Sequence, residues 1–259
     1  MRDLVFEAGG VDTGHEFGDV YDLYPRESWV FDQHRTDFKY RFDGDWKEER
    51  AGTMILVSPD ATFHHGQTHD AKSAYVDDWM YVSSPDLTDF IKELRMPVNE
   101  PFDILNGKFI APYITRIQEE RRASRLASDK IISCLLVEML VEMGRLYEKQ
   151  QSMQFSKKSE LEKIRNEMLL NYSYNWTLNS LSVKAGYSPA YFCSLYSRYY
   201  GISPIDDLLK YRMMIAREEL TLKNLSITEI AKKCGFSSIH HFSYYFKKCY
   251  GISPTKFNK

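Results

Sequence analysis

Gly186-Tyr187-Ser188 returns later in the chain as Gly235-Phe236-Ser237, and Gly201-Ile202-Ser203-Pro204 returns as Gly251-Ile252-Ser253-Pro254. One block of sequence therefore occurs twice between Thr177 and Lys259. A block that repeats in this way predicts two structural units of the same type. Two similar units are expected to form the C-terminal part of the fold.

Each block predicts a helix, a tight turn and a second helix. In the first block, Thr177 is a suitable N-cap, Gly186 ends the first helix, and Ser188-Pro189 opens the second, because proline fits the first turn of a helix. In the second block, Ser226 and Glu229 have the spacing of a capping box. Both blocks are candidate helix-turn-helix units, although many helical hairpins without a DNA partner look similar.

An amphipathic helix is predicted between the two units, from about Pro204 to Leu220. At 1.5 Å per residue its length is roughly 25 Å. A helix of that length can hold two reading helices about one turn of DNA apart. One chain could then fill two successive major grooves.

Several C-terminal segments match one known family. They are Ala185-Gly186-Tyr187-Ser188-Pro189, Tyr200-Gly201-Ile202-Ser203-Pro204, Tyr211-Arg212-x-x-x-Ala216, Ile227-x-x-Ile230-Ala231-x-x-Cys234-Gly235-Phe236, Phe242, Phe246-Lys247-Lys248 and Tyr250-Gly251-Ile252-Ser253-Pro254. Through these segments, residues 158–259 resemble the DNA-binding domain of the AraC/XylS transcription regulators. The resemblance implies an all-α domain with two helix-turn-helix motifs joined by a long helix, and sequence-specific DNA binding.

The second helix of each unit supplies the residues that we expect to contact DNA. The resemblance implies base contacts by Ala190, Cys193 and Ser194 in the first helix-turn-helix and by Ile239, His240, His241 and Tyr244 in the second. Helical geometry adds Tyr191, Arg198 and Ser238. Because the first helix-turn-helix lacks Arg, Gln or Asn at its base-contact positions, readout of DNA shape and thymine methyl groups is expected there. Phosphate contacts are expected from Arg212, Lys247 and Lys248 and from the helix-opening amides near Ser188 and Ser237.

Charge divides the chain into two parts. The net charge is −2, but residues 157–259 hold 16 Lys and Arg against 8 Asp and Glu, or +8, which leaves −10 for residues 1–156. A basic C-terminal region suits contact with phosphates, although a basic surface also serves solvation alone.

An apolar fraction of 43% and a mean hydropathy of −0.45 indicate a globular, soluble protein. The sequence shows neither a signal segment nor a membrane span, so a cytoplasmic location is expected.

Residues 1–100 predict short strands. Segments 29–31, 38–42 and 53–57 are rich in aromatic and β-branched residues, and Asp43-Gly44-Asp45 and Ser58-Pro59-Asp60 are turn signals. This spacing predicts a small antiparallel barrel. Placed before an AraC-like domain, it resembles the cupin-type sensor barrel of that family. The predicted fold class is α+β: a cupin-like antiparallel β-barrel, then helices, then the all-α domain.

A barrel of this size can hold one small ligand, such as a sugar or a related metabolite. By alternation and bulk, the inward candidates are Trp29, Tyr40, Phe42, Trp46, Phe63, His64 and Trp79, although such residues also serve as plain core. His34, His64, His65 and His69 raise the question of a metal. Because His64 and His65 are adjacent, only one of them can face the interior. No metal or other cofactor is therefore expected.

Residues 101–150 predict helices that support the barrel. Leu105 to Arg125 includes a helix with Ile114 and Ile117 inward. A heptad-like seam follows, formed by Ile132, Leu136, Met139, Met143 and Leu146. The seam could pack on its own barrel or on a partner chain, and the family resemblance favours a homodimer. Polar sequence at residues 151–157 predicts an irregular linker before the DNA-binding domain.

Together these features predict a transcription regulator rather than an enzyme, and by family analogy an activator. A small-molecule effector in the barrel would change promoter occupancy or contact with RNA polymerase. Two other classes stay open: a cupin-type metalloenzyme with a helical interaction tail, and a module whose two helical hairpins grip another protein. Phosphate contact predicts affinity that falls steeply with salt, whereas binding to a protein partner does not.

Overall fold

The computed structural model describes residues 4–16, 18, 20–24, 26–71, 74–104 and 106–257. It divides the chain into two compact units, Met1–Met153 and Gln154–Lys259. Leu105, where a helical region is expected to begin, and Lys259, at the end of the repeated block, lie outside the described residues. None of the helices in the described ranges combines the length and the apolar sequence that crossing a bilayer requires.

The strands described in the first unit form two antiparallel sheets. The larger sheet has the order β1 (Val5–Gly14), β8 (Val76–Ser83), β3 (Trp29–His34), β6 (Met54–Val57) and β9 (Pro101–Phe102). The smaller sheet has the order β2 (Val20–Leu23), β7 (Phe63–Gln67), β4 (Phe38–Arg41) and β5 (Lys47–Glu49). The prediction of an antiparallel β region before the helices is confirmed.

The larger sheet is covered on both faces, which is why every residue of β3 is buried. Three helices follow β8 in the chain: α1 (Leu87–Glu93), which precedes β9, and then α2 (Ala111–Ala123) and α3 (Ser128–Leu170). Trp29 and Phe31 pack in a core with residues of these helices. Val30 points to the other face and packs with Phe38 and Phe63 of the smaller sheet. Alternate residues of β3 thus enter two different interiors.

The apolar seam of α3 packs within its own unit. Ile132, Leu136, Met139 and Met143 are buried and Leu146 is partly buried, in the core that contains Phe31 and Ile114. The expectation that these five residues form a dimer interface is wrong, because side chains covered by the chain's own sheet and helices cannot face a partner. Of the two alternatives, packing on the chain's own sheet is the one observed.

Met139→Ala is expected to destabilise the first unit by about 2–5 kcal/mol, because the truncation leaves a cavity around a fully buried side chain. If Met139 instead joined two chains, the loss would depend on protein concentration. Urea unfolding of parent and variant at two protein concentrations, tenfold apart, separates the cases. We expect the same decrease in the free energy of unfolding at both, and a decrease confined to the lower concentration would contradict the intramolecular packing.

Helix α3 continues without interruption through residues 151–157. The expected irregular linker is therefore wrong as secondary structure. The stretch is mostly exposed, but it contains neither glycine nor proline, and its Gln, Met and Lys residues are good helix formers. Polarity here determines exposure to solvent and does not interrupt the helix. Farther along α3, Leu161, Ile164 and Met168 are buried in the second unit, as the predicted supporting helix requires.

The second unit consists of helices and confirms both predicted helix-turn-helix motifs. Its elements after α3 are α4 (Leu178–Lys184), α5 (Pro189–Tyr200), α6 (Pro204–Leu222), α7 (Ile227–Lys233), α8 (Ile239–Tyr250) and α9 (Pro254–Phe257). Helices α4 and α5 form the first motif, and α7 and α8 form the second. Thr177 and Ser226 cap the first helix of each motif through a capping box, the latter with Glu229 as predicted.

Helix α6 belongs to the hydrophobic cores of both motifs. Near its start, Leu208 packs with residues of α4 and α5. Farther along, Met213, Ala216 and Leu220 pack with residues of α7 and α8. The helix has 19 residues and is about 28 Å long at 1.5 Å per residue. Each motif is therefore fixed to one end of the same rigid element.

Candidate nucleic-acid interface and interior cavity

Helix α5 presents its predicted contact residues on its outer side. The Ser188 hydroxyl accepts a hydrogen bond of 3.3 Å from the backbone N–H of Tyr191 and so caps the helix. Phe192, Leu195 and Tyr196 are buried on the inner side. The predicted residues lie on the other side: Ala190, Tyr191, Ser194 and Arg198 are exposed, and Cys193 is half-buried.

Helix α8 presents its predicted residues in the same way. Phe242 and Phe246 are fully buried and hold the helix against α6 and α7. The predicted contact residues face outward: Ser237, Ile239, His240, His241, Tyr244, Lys247 and Lys248 are exposed, and Ser238, the N-cap residue, is half-buried. The surface offers two imidazoles, a phenol and an aliphatic side chain within two turns of helix. These groups can donate hydrogen bonds to base edges and make apolar contact with thymine methyl groups.

Neither α5 nor α8 contains Asp or Glu. A carboxylate on either helix would repel the phosphates on both sides of a groove. Lys247 and Lys248 lie in the last turn of α8, where they extend from the exposed face as point charges. The two helices are therefore electrostatically compatible with a polyanion.

Arg212 has a structural role, and this corrects its prediction as a phosphate contact. Its side chain is 7% exposed, and its Nε and Nη2 atoms each donate a hydrogen bond of 2.7 Å, to the backbone carbonyls of Tyr172 and Tyr174. The guanidinium also lies over the ring of Phe236, 5.5 Å from its centroid, and burial lowers its pKa. Through these bonds Arg212 holds the turn that follows α3 against α6, beside Phe236 of the second motif.

Asp207 fixes α6 against the first motif. Its Oδ2 atom accepts hydrogen bonds from Arg165 Nε at 2.7 Å and from the Tyr196 hydroxyl at 2.6 Å. Burial raises the pKa of this carboxyl, but the bonds from Arg165 and Tyr196 outweigh burial and bring the pKa below its ordinary value. Because Arg165 lies on α3, Tyr196 on α5 and Asp207 on α6, one carboxylate links three helices. This network restricts the orientation of α5.

An interior cavity of about 400 Å³ lies in the first unit. Its wall contains residues from both sheets: His15, Tyr21, Asp32, His65, Asp77 and Trp79. His15 Nε2 lies 2.8 Å from Asp77 Oδ2, and Trp79 Nε1 donates a hydrogen bond of 3.1 Å to Thr13 Oγ1. A larger depression of about 600 Å³ is lined by half-buried and exposed residues such as Asp37 and Glu48. We consider the interior cavity the better candidate because buried polar groups line it.

Trp79 is the one predicted effector residue found among the described lining of that cavity. Trp29 faces the helices, Tyr40 and Phe42 pack between the two sheets, and Trp46 is 37% exposed beneath the cations of Lys39 and Arg41. These four predictions are wrong as cavity contacts. Aromatic bulk alone does not distinguish a residue that fills a core from one that lines a cavity.

The two adjacent histidines of β7 face opposite ways, as predicted, but the inward one is His65. His64 lies on the outer face, where its Nδ1 is 2.5 Å from Asp22 Oδ1, so its prediction as an effector contact is wrong. His65 is 4% exposed and lies opposite Tyr40 in the smaller sheet. The register of β7 in the sheet determines which of the two histidines faces the interior, and neither the size nor the polarity of the residues predicts it.

Sequence reasoning missed His15, Tyr21, Asp32, His65 and Asp77 as cavity residues. Burial raises the pKa of Asp32 to about 6, and burial together with the Asp32 charge raises that of Asp77 to about 8. Burial lowers the pKa of His65 to about 3. Burial therefore favours the uncharged forms of Asp32, Asp77 and His65. The one signal available in the sequence is the polar run Asp32-Gln33-His34 directly after the apolar Trp29-Val30-Phe31, because polar residues are rarely buried without a reason.

Comparisons with known proteins place the similarity in the second unit. A family model described as a helix-turn-helix domain matches residues 181–259. YdiP, an uncharacterized HTH-type transcriptional regulator of Escherichia coli (strain K12), is 35% identical over 89 residues, which is 34% of this chain and 29% of that protein. VirF, a virulence regulon transcriptional activator of Yersinia enterocolitica, is 30% identical over 95 residues, which is 37% of this chain and 35% of that protein.

Among solved structures, the C-terminal domain of AraT, a response regulator from Geobacillus stearothermophilus, is 34% identical. The match covers 38% of this chain and 82% of that chain, with a TM-score of 0.37. The chain spans 29% and 35% of the lengths of the two curated relatives above.

Proposed function

Because the chain belongs to the AraC/XylS family of helix-turn-helix transcriptional regulators, we propose that it binds double-stranded DNA in two successive major grooves and regulates transcription from the bound site. This family consists of regulators and not of enzymes. The observation that carries the proposal is that α6 joins two helix-turn-helix motifs, each of which exposes the first turns of its second helix. Two reading helices on one rigid element are what a continuous duplex requires.

In the proposed complex, α8 makes the more specific contacts. His240 and His241 offer ring N–H donors and Tyr244 offers a hydroxyl, all exposed on the outer face. Helix α5 offers small side chains at Ala190 and Ser194, so it approaches the base edges closely and reads shape and thymine methyl groups. At the start of α5 the Ala190 N–H is the proposed backbone donor to a phosphate, because Pro189 has no N–H and the N–H groups of Tyr191 and Phe192 donate to Ser188.

Lys247 and Lys248 are the proposed phosphate contacts of α8, and replacing both with alanine should change the salt dependence of binding. Each phosphate contact releases a condensed counterion, so the slope of log affinity against log salt should become shallower by about 2. Affinity for selected and for random duplexes should fall to the same extent, because the phosphate backbone is the same in every DNA sequence. The measurement is fluorescence anisotropy of the full chain on a duplex selected from a random pool, between 50 and 200 mM salt.

The matched control removes two exposed lysines of the first unit, Lys92 and Lys108, with the same change in net charge. We expect this control to keep the parent slope. Affinity that does not change with salt in the parent would contradict phosphate contact and would support the alternative in which the helical hairpins bind a protein. An equal change in both double variants would show that net charge, and not contact, sets the slope.

We further propose that the first unit is the effector-binding part of a regulator, with residues 1–100 as the sensor, closed as a cupin-like barrel, and residues 101–150 as its helical support. The interior cavity supports this proposal, because about 400 Å³ accommodates one small polar molecule. Occupancy of the cavity would shift the population of DNA-binding-competent chains and, in an activator, contact with RNA polymerase. A thermal-shift screen of small polar metabolites against the full chain tests the cavity, and Trp79→Ala should abolish any shift that arises there.

A further inference from the structure

Four buried side chains meet in the interior of the first unit: Asp32 and His34 from β3, His65 from β7 and Asp77 from β8. One nitrogen or oxygen atom of each lies within 4.8 Å of the corresponding atoms of the others. His34 Nε2 is 3.3 Å and His65 Nδ1 is 3.7 Å from the same atom, Asp32 Oδ2. Three strands from both sheets thus direct two imidazoles and two carboxyls toward one point.

Five polar atoms of this cluster are buried without hydrogen bonds in the part of the chain that the structure describes. His34 is 0%, Asp32 1%, Asp77 1% and His65 4% exposed. Both ring nitrogens of His34, Nδ1 of His65, and Oδ1 of Asp32 and Asp77 have no hydrogen-bond partner among the described residues. A buried polar atom without a partner destabilises the fold by about 1–3 kcal/mol. With one ligand atom of each residue within 4.8 Å of the others, this group of unpaired buried atoms indicates that a bound ion completes the cluster.

We propose that Asp32, His34, His65 and Asp77 bind one divalent transition-metal cation of the Zn²⁺ type. Two carboxylates balance the charge of the cation, so the occupied site is neutral inside a medium that penalises net charge. Imidazole with carboxylate suits Zn²⁺, Fe²⁺ or Mn²⁺, whereas Ca²⁺ and Mg²⁺ take oxygen ligands alone. The two buried histidines therefore select against the hard cations.

The geometry agrees with such an ion. Ligand atoms about 2.1 Å from a tetrahedral Zn²⁺ lie roughly 3.4 Å from one another. The observed separations of 3.3 and 3.7 Å are close to that value, and a pair at the 4.8 Å limit would need to approach by about 1.4 Å. Asp32, His65 and Asp77 also line the interior cavity, so the proposed ion forms part of its wall.

Titration of the EDTA-treated full chain with ZnCl₂ by calorimetry tests the proposal. We expect one equivalent to bind, and Asp32→Asn and His34→Gln each to weaken binding by more than about 100-fold, because loss of a direct ligand exceeds the 10- to 100-fold loss that outer-shell changes cause. His64→Gln is the matched control, since this neighbour of His65 lies on the outer face of β7. It should bind Zn²⁺ as the parent does.

Thermal unfolding without metal and with a 100-fold excess of Zn²⁺ over Kd shows whether the variants are folded. Asp32→Asn removes a buried carboxyl and should unfold at or above the parent temperature without metal. Zn²⁺ should raise the parent midpoint by about 5 °C or more and leave that of Asp32→Asn unchanged. Absence of stoichiometric binding in the parent, or undiminished binding in a folded Asp32→Asn, would overturn the proposal. DNA binding of the same metal-free sample is a separate readout, so failure of the metal site and failure of the proposed DNA function are distinguishable.

Discussion

Gly235→Ala is expected to destabilise the second helix-turn-helix motif by about 2–5 kcal/mol and to abolish its contribution to DNA binding. Gly235 has a φ of +78°, and an added Cβ would lie 2.6 Å from the carbonyl oxygen of Ser173 and 2.8 Å from Arg212 Nη2. A residue with a Cβ in the left-handed conformation destabilises the fold by about 1–2 kcal/mol, and the forced close contacts destabilise it by about 1–3 kcal/mol more. Arg212 cannot yield easily, since its guanidinium is held by two backbone carbonyls.

Gly186 is the matched control for Gly235, because it stands at the equivalent turn of the first motif. Its φ is +67°, but nothing lies within 4 Å of an added Cβ. Gly186→Ala should therefore lower the free energy of unfolding only by the strain of the left-handed backbone, about 1–2 kcal/mol. Guanidinium unfolding of both variants, followed by helical circular dichroism, gives the two values. Equal losses would show that the contacts of Gly235 with Ser173 and Arg212 do not limit the turn.

Replacing His240, His241 and Tyr244 together with alanine is expected to weaken binding to a selected duplex by about 100-fold or more. Each base contact contributes about 1–3 kcal/mol of discrimination, while binding to random DNA depends on phosphate contacts that the variant keeps. The three side chains are exposed, and the buried Phe242 and Phe246 are unchanged, so the fold should persist. Competition between selected and random duplexes measures the change in preference directly.

His69→Ala is the control for a general effect of removing histidine, because its side chain is 95% exposed and lies in the first unit. It should leave the preference for the selected duplex unchanged. If the triple variant kept the parent preference, α8 would not be the reading helix. If affinity for random DNA fell as far as affinity for the selected duplex, these residues would contribute to general DNA affinity or folding and not to base readout.

The C-terminal motifs could be predicted from the sequence because their signals are local. Thr177, Ser226 and Glu229 satisfy backbone groups within one turn, and Gly186 and Gly235 permit the left-handed residue that ends a helix. The apolar residues of α6 repeat at helical spacing, so its buried face follows from the sequence alone. Arg212 was assigned wrongly because its charge suggests phosphate, and only the tertiary fold brings the carbonyls of Tyr172 and Tyr174 to it.

The cavity of the first unit could not be predicted because it depends on long-range register. His65 meets Asp32 only because β7 and β3 belong to different sheets that pack together. Trp29 was expected to face inward, but the larger sheet has two buried faces, and alternation cannot tell which of them encloses a cavity. The linker predicted at residues 151–157 is wrong for another reason: a polar stretch without glycine or proline remains helical if its residues are good helix formers.

Hydroxyl-radical footprinting of the full chain on a selected duplex tests most directly whether α5 and α8 enter successive major grooves of one DNA molecule. Two protected regions about 10 base pairs apart on the same face of the duplex are predicted. The triple α8 variant should lose one region and, at a concentration that restores binding, keep the other. A single protected region in the parent, or two regions on opposite faces of the duplex, would contradict the arrangement.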